Sequence, residues 1–453
     1  MVQIKVKWGK EAYTVDIELD NSVTQLKEKL ASLTSVPVAK QKLMGLKPGA
    51  KDDATLSAAG VSAGKALMMI GSADTSVPKV EAVAADDGRG GHGQTAPTSN
   101  GLNNIGNTCY MNSAIEMVRT VPEVKEAILA DTPAVKNNRF LRALGELLLS
   151  LDSTREAVTP FPFWSQLITV NPTFGERSEE GHMMQHDAQE ALSTMLQQLA
   201  GALPSKYARL FQGTVQQTLK CGDIPDDAGN VSSAPFAMLQ CNIGGEVQTL
   251  EAGLAQSFNE TFDARSDVLG REAKFTKTSR LSALPEYLFV HMVRFSWKND
   301  IQKKAKILKP ITFPITLDVA HLCTEELNKE MKPMRQTIGE RRDKEVERRK
   351  RGRAEQVEPE EAVSEVVPLE LHNESGYYEL CGVISHKGRS SDGGHYVYWG
   401  KKGNHWLIYD DQHVAEVSEE DILRLRGVGE AHIAYVLLYR SREPTTKKPV
   451  VPF

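Results

Sequence analysis

Apolar and polar positions alternate at the start of the chain. Val2, Ile4, Val6 and Trp8 form one period-two set, Gly9-Lys10-Glu11 interrupts it, and Tyr13, Val15, Ile17 and Leu19 resume it. That spacing predicts a β-hairpin with one buried face. The period then becomes helical. Ser22 and Gln25 stand in a capping-box pattern, and Val23, Leu26, Leu30 and Leu33 form a stripe that ends before Pro37. Residues 41–46 and 66–70 read as short strands, with a helical turn over 55–60 between them.

From 72 to 100 the pattern disappears. Pro78, Gly88, Gly90, Gly91, Gly93 and Pro97 stand among almost no large apolar residues. Such a segment buries too little surface to offset its ordering entropy, so it is expected to be a flexible linker. Helical spacing returns with Met111, Ile115 and Val118, and as a broad stripe of Phe140, Leu141, Leu144, Leu147, Leu148 and Leu151. A third helix is expected over 184–199, with Ala188, Leu192, Met195, Leu196 and Leu199 on one face and Asp187 and Glu190 near its positive end.

The next part is strand-rich. Short strands are expected at 211–219, 238–243 and 246–250, then a short helix near 250–258. Residues 287–295 read as a buried strand, and 297–306 as a polar loop. Residues 324–361 are dense in Glu, Lys and Arg of mixed sign, which favours a solvated helix. Strands at 363–371, 377–385 and 434–439 complete the reading, followed by a tail from 444. The reading mixes helices with strands throughout, and the class expected is α+β.

Composition narrows this little. The 453 residues suffice for two to four domains at about 150 residues each. A net charge of −5 argues against general nucleic-acid or membrane-surface binding. The cysteines, at 109, 221, 241, 323 and 381, show no C-x-x-C spacing, which suggests neither a disulfide framework nor a zinc knuckle. The alternating start is unlike a signal segment, and no run of about 18 apolar residues occurs. The expectation is a cytoplasmic and nuclear protein, monomeric when free.

Chemistry concentrates in two stretches. The first is Gly101-Leu102-Asn103-Asn104-Ile105-Gly106-Asn107-Thr108-Cys109-Tyr110-Met111-Asn112-Ser113. Its glycines permit an irregular loop, and the helical pattern begins at Cys109. A thiol at a helix N-terminus faces unpaired N–H groups, which favours thiolate. Asn104, Asn107 and Asn112 offer amide donors beside it, as acyl transfer through a thioester requires. A buried structural cysteine is the plainer reading. The second stretch changes the balance. Gly393-Gly394-His395-Tyr396-Val397-Tyr398-Trp399 brings a histidine to a strand edge, and His405-Trp406-Leu407-Ile408-Tyr409-Asp410-Asp411 delivers an acid from a neighbouring strand. Pattern alone does not separate Asp410 from Asp411. His182, His186 and Asp187 lack further ligands nearby in sequence, so no metal is expected.

These stretches resemble the Cys box and His box of the ubiquitin-specific proteases. Gln185-His186-Asp187-Ala188-Gln189-Glu190 is similar to a third element of that family, with His186 in place of its second glutamine. The resemblance covers roughly 101–440. It implies a papain-like catalytic domain of palm, thumb and fingers over 101–443, and a thiol-dependent isopeptidase acting at the C-terminal glycine of ubiquitin. Cys109 would be the nucleophile, His395 the base, Asp410 its orienting acid and Asn104 the oxyanion donor. Asp187 would line the path of the ubiquitin tail, and Gln185, Phe295 and Tyr396 would join it in binding ubiquitin. No cofactor is implied. Many members carry zinc in the fingers on two Cys-x-x-Cys pairs; only Cys221 and Cys241 stand in that region, so no structural zinc is expected.

Residues 1–71 resemble a ubiquitin-like β-grasp domain that continues into further chain instead of ending in a Gly-Gly tail. With it, the chain looks like the proteasome-associated, type 14 branch of the family. That implies docking to the proteasome regulatory particle, polyubiquitinated proteins as substrates, and two loops over the tail channel, at 297–306 and 388–393. The rival readings are a non-catalytic ubiquitin-binding adaptor and a general papain-like protease.

Overall fold

The computed structural model describes residues 2–8, 11–17, 20–34, 38, 41–47, 51–61, 66–70, 99–130, 132–298, 303–352, 373–388, 393–427 and 431–441. The expected linker as far as residue 98, the strand at 363–371, residues 389–392 of the second loop and the tail from 444 lie outside them. Two compact units emerge, Met1–Lys79 and Val80–Phe453.

In the first unit the hairpin pairs Val2–Trp8 with Glu11–Ile17. Val2–Trp8 also pairs in parallel with Ala66–Ile70, which carries Lys42–Met44 on its far edge. Helix Val23–Thr34 closes one face. Ile4, Val6, Val15, Ile17, Leu26, Leu30, Leu67 and Met69 share one buried cluster, as the alternation and the stripe predict. The capping box forms in full: Ser22 N–H donates to Gln25 Oε1 (2.9 Å), and Gln25 N–H to Ser22 Oγ (3.2 Å). This is β-grasp order.

The second unit is built on an eight-stranded sheet. Its path runs His413–Val417, His405–Asp410, His395–Lys402, Tyr377–Lys387, Ile433–Ser441, Tyr287–Val293 and Met238–Asn242, with Thr316–Asp318 paired to Tyr377–Lys387. The central strands Ile433–Ser441 and Tyr287–Val293 are buried along most of their length, which is why they read as continuous apolar runs. Helix Cys109–Arg119 lies between strand His395–Lys402 and helix Ala188–Ala202, and every residue from Cys109 to Val118 is buried. Helix Arg139–Ser153 packs its stripe into the same core. Truncating a side chain such as Leu144, which is fully buried there, costs about 2–5 kcal/mol.

A separate four-stranded sheet, in the order Asn230–Phe236, Gly213–Cys221, Arg271–Ala283, Asn259–Ser266, forms the fingers. Its Cys221 is buried at the end of a strand. The turn beyond it is held by a carboxylate: Asp227 accepts from Cys221 N–H (2.6 Å) and Gly229 N–H (2.9 Å).

Three expectations need correction. Residues 246–250 form no strand. Gly245 turns the chain with φ 45°, and Thr249 instead caps helix Leu250–Ser257 through its hydroxyl. The expected helix over 184–199 starts later, at Ala188, because Asp187 takes the N-cap position and accepts from Gln189 N–H (2.7 Å). The polar stretch at 297–306 is not all loop. Phe295–Lys298 pairs with Lys303–Lys306 as a two-stranded ribbon, and residues 299–302 lie outside the described residues. The charged segment does form a helix, Glu325–Gly352, anchored through buried Met331 and the Arg335–Asp318 ion pair (2.7 Å).

Candidate active site

Gly106 (φ 115°) and Asn107 (φ 54°) both take the left-handed conformation. Asn104 organises the turn they make. Its Oδ1 accepts from Gly106 N–H (3.0 Å) and Thr108 N–H (3.2 Å). Asn107 donates to the carbonyl of Met183 (2.8 Å). The turn ends at Cys109, the first residue of its helix, which is only 2 % exposed.

His395 is the first residue of strand His395–Lys402, and Asp410 the last of strand His405–Asp410. His395 Nε2 stands 2.5 Å from Asp410 Oδ1. The other ring nitrogen, Nδ1, is left for Cys109, whose side chain is close enough to help raise the imidazole. Burial alone would push the imidazole down; the hydrogen bonds to Asp410 and Cys109 outweigh it and raise His395 to about 10. Asp410 is held below its ordinary value by the same bond, against the effect of its burial.

A pH profile follows. Because the folded value lies above the ordinary imidazole value, the pair's contribution is complete below that value and lost as pH rises through about 10. The alkaline limb of kcat/KM for a ubiquitin–fluorophore conjugate is therefore expected near pH 10, and Asp410→Asn should move it down by at least about one pH unit. An alkaline limb near 6.5 in the wild type would contradict this geometry.

The acidic doublet splits its work. Asp411 (φ 52°) turns the other way from Asp410. Its carboxylate accepts from Asn104 Nδ2 (2.9 Å) and Asn112 Nδ2 (2.8 Å), and its carbonyl accepts from Leu102 N–H (3.0 Å). A Cβ on Gly101 would lie 2.0 Å from that carbonyl oxygen, so only glycine lets the two segments meet. Asp411 is thus the clasp between the cysteine loop and the histidine sheet. Burial raises its pKa despite both amides. The sequence reading did not foresee this clasp. Its one signal was the doublet itself, with two asparagines near the cysteine.

Among the described residues, His395, Asp410 and Asp411 are also the one grouping close enough to share a cation. Their polar atoms are engaged with one another and with Asn104 and Asn112, which makes a hydrogen-bond network of them.

The remaining sequence candidates fall nearby. Asp187 accepts from Tyr435 O–H (2.5 Å), so both its oxygens are committed. Phe295 and Tyr396 stack around the same Tyr435, at ring separations of 5.5 and 5.8 Å. Phe295 stays partly exposed, whereas Tyr396 is buried in the wall behind it. Gln185 precedes Asp187, and its side-chain nitrogen has no hydrogen-bond partner. His182 is exposed and stands by Glu180, apart from His186, which packs against Tyr110 and Phe174. No described helix is long and apolar enough to cross a membrane.

A thiol at a helix start, an imidazole bonded to it and a carboxylate behind the imidazole make a cysteine hydrolase site. Comparison with known proteins makes the class specific. Residues 100–439 match the family described as ubiquitin carboxyl-terminal hydrolase, and residues 2–74 match the ubiquitin family. The chain belongs to the ubiquitin carboxyl-terminal hydrolase family, and is a cysteine-type deubiquitinase with an N-terminal ubiquitin-like domain. It is 33 % identical to ubiquitin carboxyl-terminal hydrolase 6 of Schizosaccharomyces pombe, over 98 % of this chain and 99 % of the relative. Ubiquitin carboxyl-terminal hydrolase 6 of Arabidopsis thaliana is 34 % identical over the same shares. Ubiquitin carboxyl-terminal hydrolase 14 of Caenorhabditis elegans is 31 % identical, over 97 % of this chain and 93 % of the relative.

Proposed function

We propose that the chain cleaves isopeptide and peptide bonds after the C-terminal glycine of ubiquitin, with Cys109 as nucleophile and His395 as base. The observation that carries this is His395 bonded to Asp410 through Nε2, with Cys109 close enough to the ring to raise it further. With the shared proton resting on His395, Cys109 attacks the glycine carbonyl as thiolate. His395 returns that proton to the leaving lysine amine, and water then releases the thioester with His395 again as base. Asp410 fixes the ring and stabilises the imidazolium. Asn104 donates one amide hydrogen to Asp411, and the second is available to the oxyanion. Asp187, Gln185 and Phe295 receive the extended tail. Gln185 brings an unpaired donor suited to a backbone carbonyl.

The cellular setting belongs to the same proposal: a cytoplasmic and nuclear monomer that trims ubiquitin from proteasome-bound substrates, docked by residues 1–71 on the regulatory particle. Support comes from the open face of the ubiquitin-like sheet. Met44 and Met68 pair across neighbouring strands, 47 % and 50 % exposed, with Lys7 beside Met68 in register and Lys5 and Lys42 exposed on the same sheet. Apolar contact ringed by cations suits an acidic protein surface. On the same reading, the stretches 297–306 and 388–393 limit access to the tail channel until docking shifts the balance.

The test is hydrolysis of a ubiquitin–fluorophore conjugate with and without proteasomes. The whole chain should turn over faster when proteasomes are present. Removing residues 1–71 should abolish co-purification with proteasomes and that acceleration while leaving the basal rate within about two-fold. Loss of the basal rate as well would refute separable modules.

A further inference from the structure

A second histidine backs the first. His432, just before strand Ile433–Ser441, is 6 % exposed. Its ring centroid lies 6.3 Å from that of His395, with the planes inclined by 71°. Its Nδ1 is 3.1 Å from Ser385 Oγ, and Trp399 Nε1 donates to the same oxygen at 2.8 Å. Ser385 and Trp399 are both buried. Three strands therefore contribute to one polar chain. Ser385 sits on Tyr377–Lys387, directly across from Val397. Trp399 shares a face with His395, four residues along the same strand.

Burying an imidazole, a hydroxyl and an indole N–H is costly unless they satisfy one another, and packing alone would be served by apolar side chains. The groups that face His432 electrostatically are His395, Asp410, Lys387 and Lys306. Burial dominates, and the cations add to it, so His432 is driven down to about 3 and stays neutral beside a partner that carries charge.

We infer that His432 is a positioning residue for the general base. Held by Ser385 and Trp399, its ring fixes the plane in which His395 reaches both Asp410 and Cys109, and limits water on the inner side of that pair. An imidazole serving two partners must hold one ring plane, and small misplacement of a reacting group is expensive. The inference rests on His395 being the base.

The full-length chain with His432→Ala tests it, by the pH profile of ubiquitin–fluorophore hydrolysis. kcat should fall about ten-fold or more with KM changed by less than about two-fold, since only the reacting geometry is disturbed. The alkaline limb should move down, because admitted water weakens the coupling that holds His395 up. His432→Phe, which restores a flat ring, should recover kcat to within about three-fold and return the limb. An unmoved limb in His432→Ala, or a loss that Phe does not recover, overturns the inference. Should His432→Ala fail to fold, Ser385→Ala cuts the tether and leaves the ring; the same limb shift is then expected, and its absence is equally decisive. His395→Ala run alongside separates the two readings. If it retains turnover, the base assignment itself is wrong. If it is inactive while His432→Ala behaves as wild type, only the positioning role falls.

Discussion

Cys109→Ala is expected to abolish adduct formation with a ubiquitin probe carrying a C-terminal electrophile and to lower ubiquitin–fluorophore turnover by at least about four orders of magnitude. The reason is local. His395 has two partners, Asp410 and Cys109, and no other described cysteine lies near them; Cys221, Cys241 and Cys323 are buried elsewhere in the unit. Burial pushes Cys241, Cys323 and Cys381 up to about 12, which leaves them inert as nucleophiles near neutrality. The fold should survive, because alanine keeps the helix start and removes a single buried atom, a loss of about 1 kcal/mol. Mass spectrometry of the probe reaction and a thermal midpoint check both halves. An adduct on the Ala variant would show that another residue reacts. A wild type that binds ubiquitin and forms no adduct would return the chain to the adaptor reading.

The second large effect is expected at Asp411. Asp411→Ala removes the acceptor for both Asn104 and Asn112, and so takes the closest partner from one exposed amide and one buried amide. The penalty falls on the buried Asn112, where an unsatisfied donor costs about 1–3 kcal/mol, while water can satisfy the exposed Asn104. Asn104 would also no longer be aimed, so the loss in kcat should approach the 10²- to 10³-fold typical of losing one oxyanion donor. Asp411→Asn should be nearly as damaging, since an amide can accept from one asparagine only by turning its own donors on the other. KM should change little in either variant, because the proposed function assigns the ubiquitin tail to Asp187, Gln185 and Phe295 rather than to Asp411. Steady-state kinetics with a thermal melt is the measurement. A kcat within about three-fold of wild type would mean that the clasp is structural decoration and Asn104 is positioned without it.

These two predictions differ in how visible they were beforehand. Cys109 and His395 could be named from the chain because each sits in a local pattern with a physical cause: a glycine-permitted loop running into a helix, and a glycine pair opening a strand. The acids were legible as a doublet but not as two roles. Which carboxylate meets His395 depends on a single backbone turn at Asp411 with φ 52°, and short-range pattern does not encode its direction. The ribbon Phe295–Lys298/Lys303–Lys306 was misjudged because its second strand, Lys-Lys-Ala-Lys, is as polar as a loop, and only pairing with the first distinguishes it. The strand expected at 246–250 failed for the opposite reason. The β-branched Val247 and Thr249 alternate suitably, but Thr249 had a competing use as a helix cap.

By itself the chain determined the β-grasp order of the first unit, the core helices and the central strands. It also determined which residue types are available for thiol chemistry. Each of these follows from periodicity and from turn or cap residues within a few positions of one another. The tertiary structure alone decided what meets across hundreds of residues: Asp411 against Asn104 and Gly101, Tyr435 against Asp187, and His432 behind His395. Those contacts are set by sheet register and by close packing, where one carbonyl oxygen occupies the place of a missing Cβ. Neither quantity is a property of any single stretch of sequence.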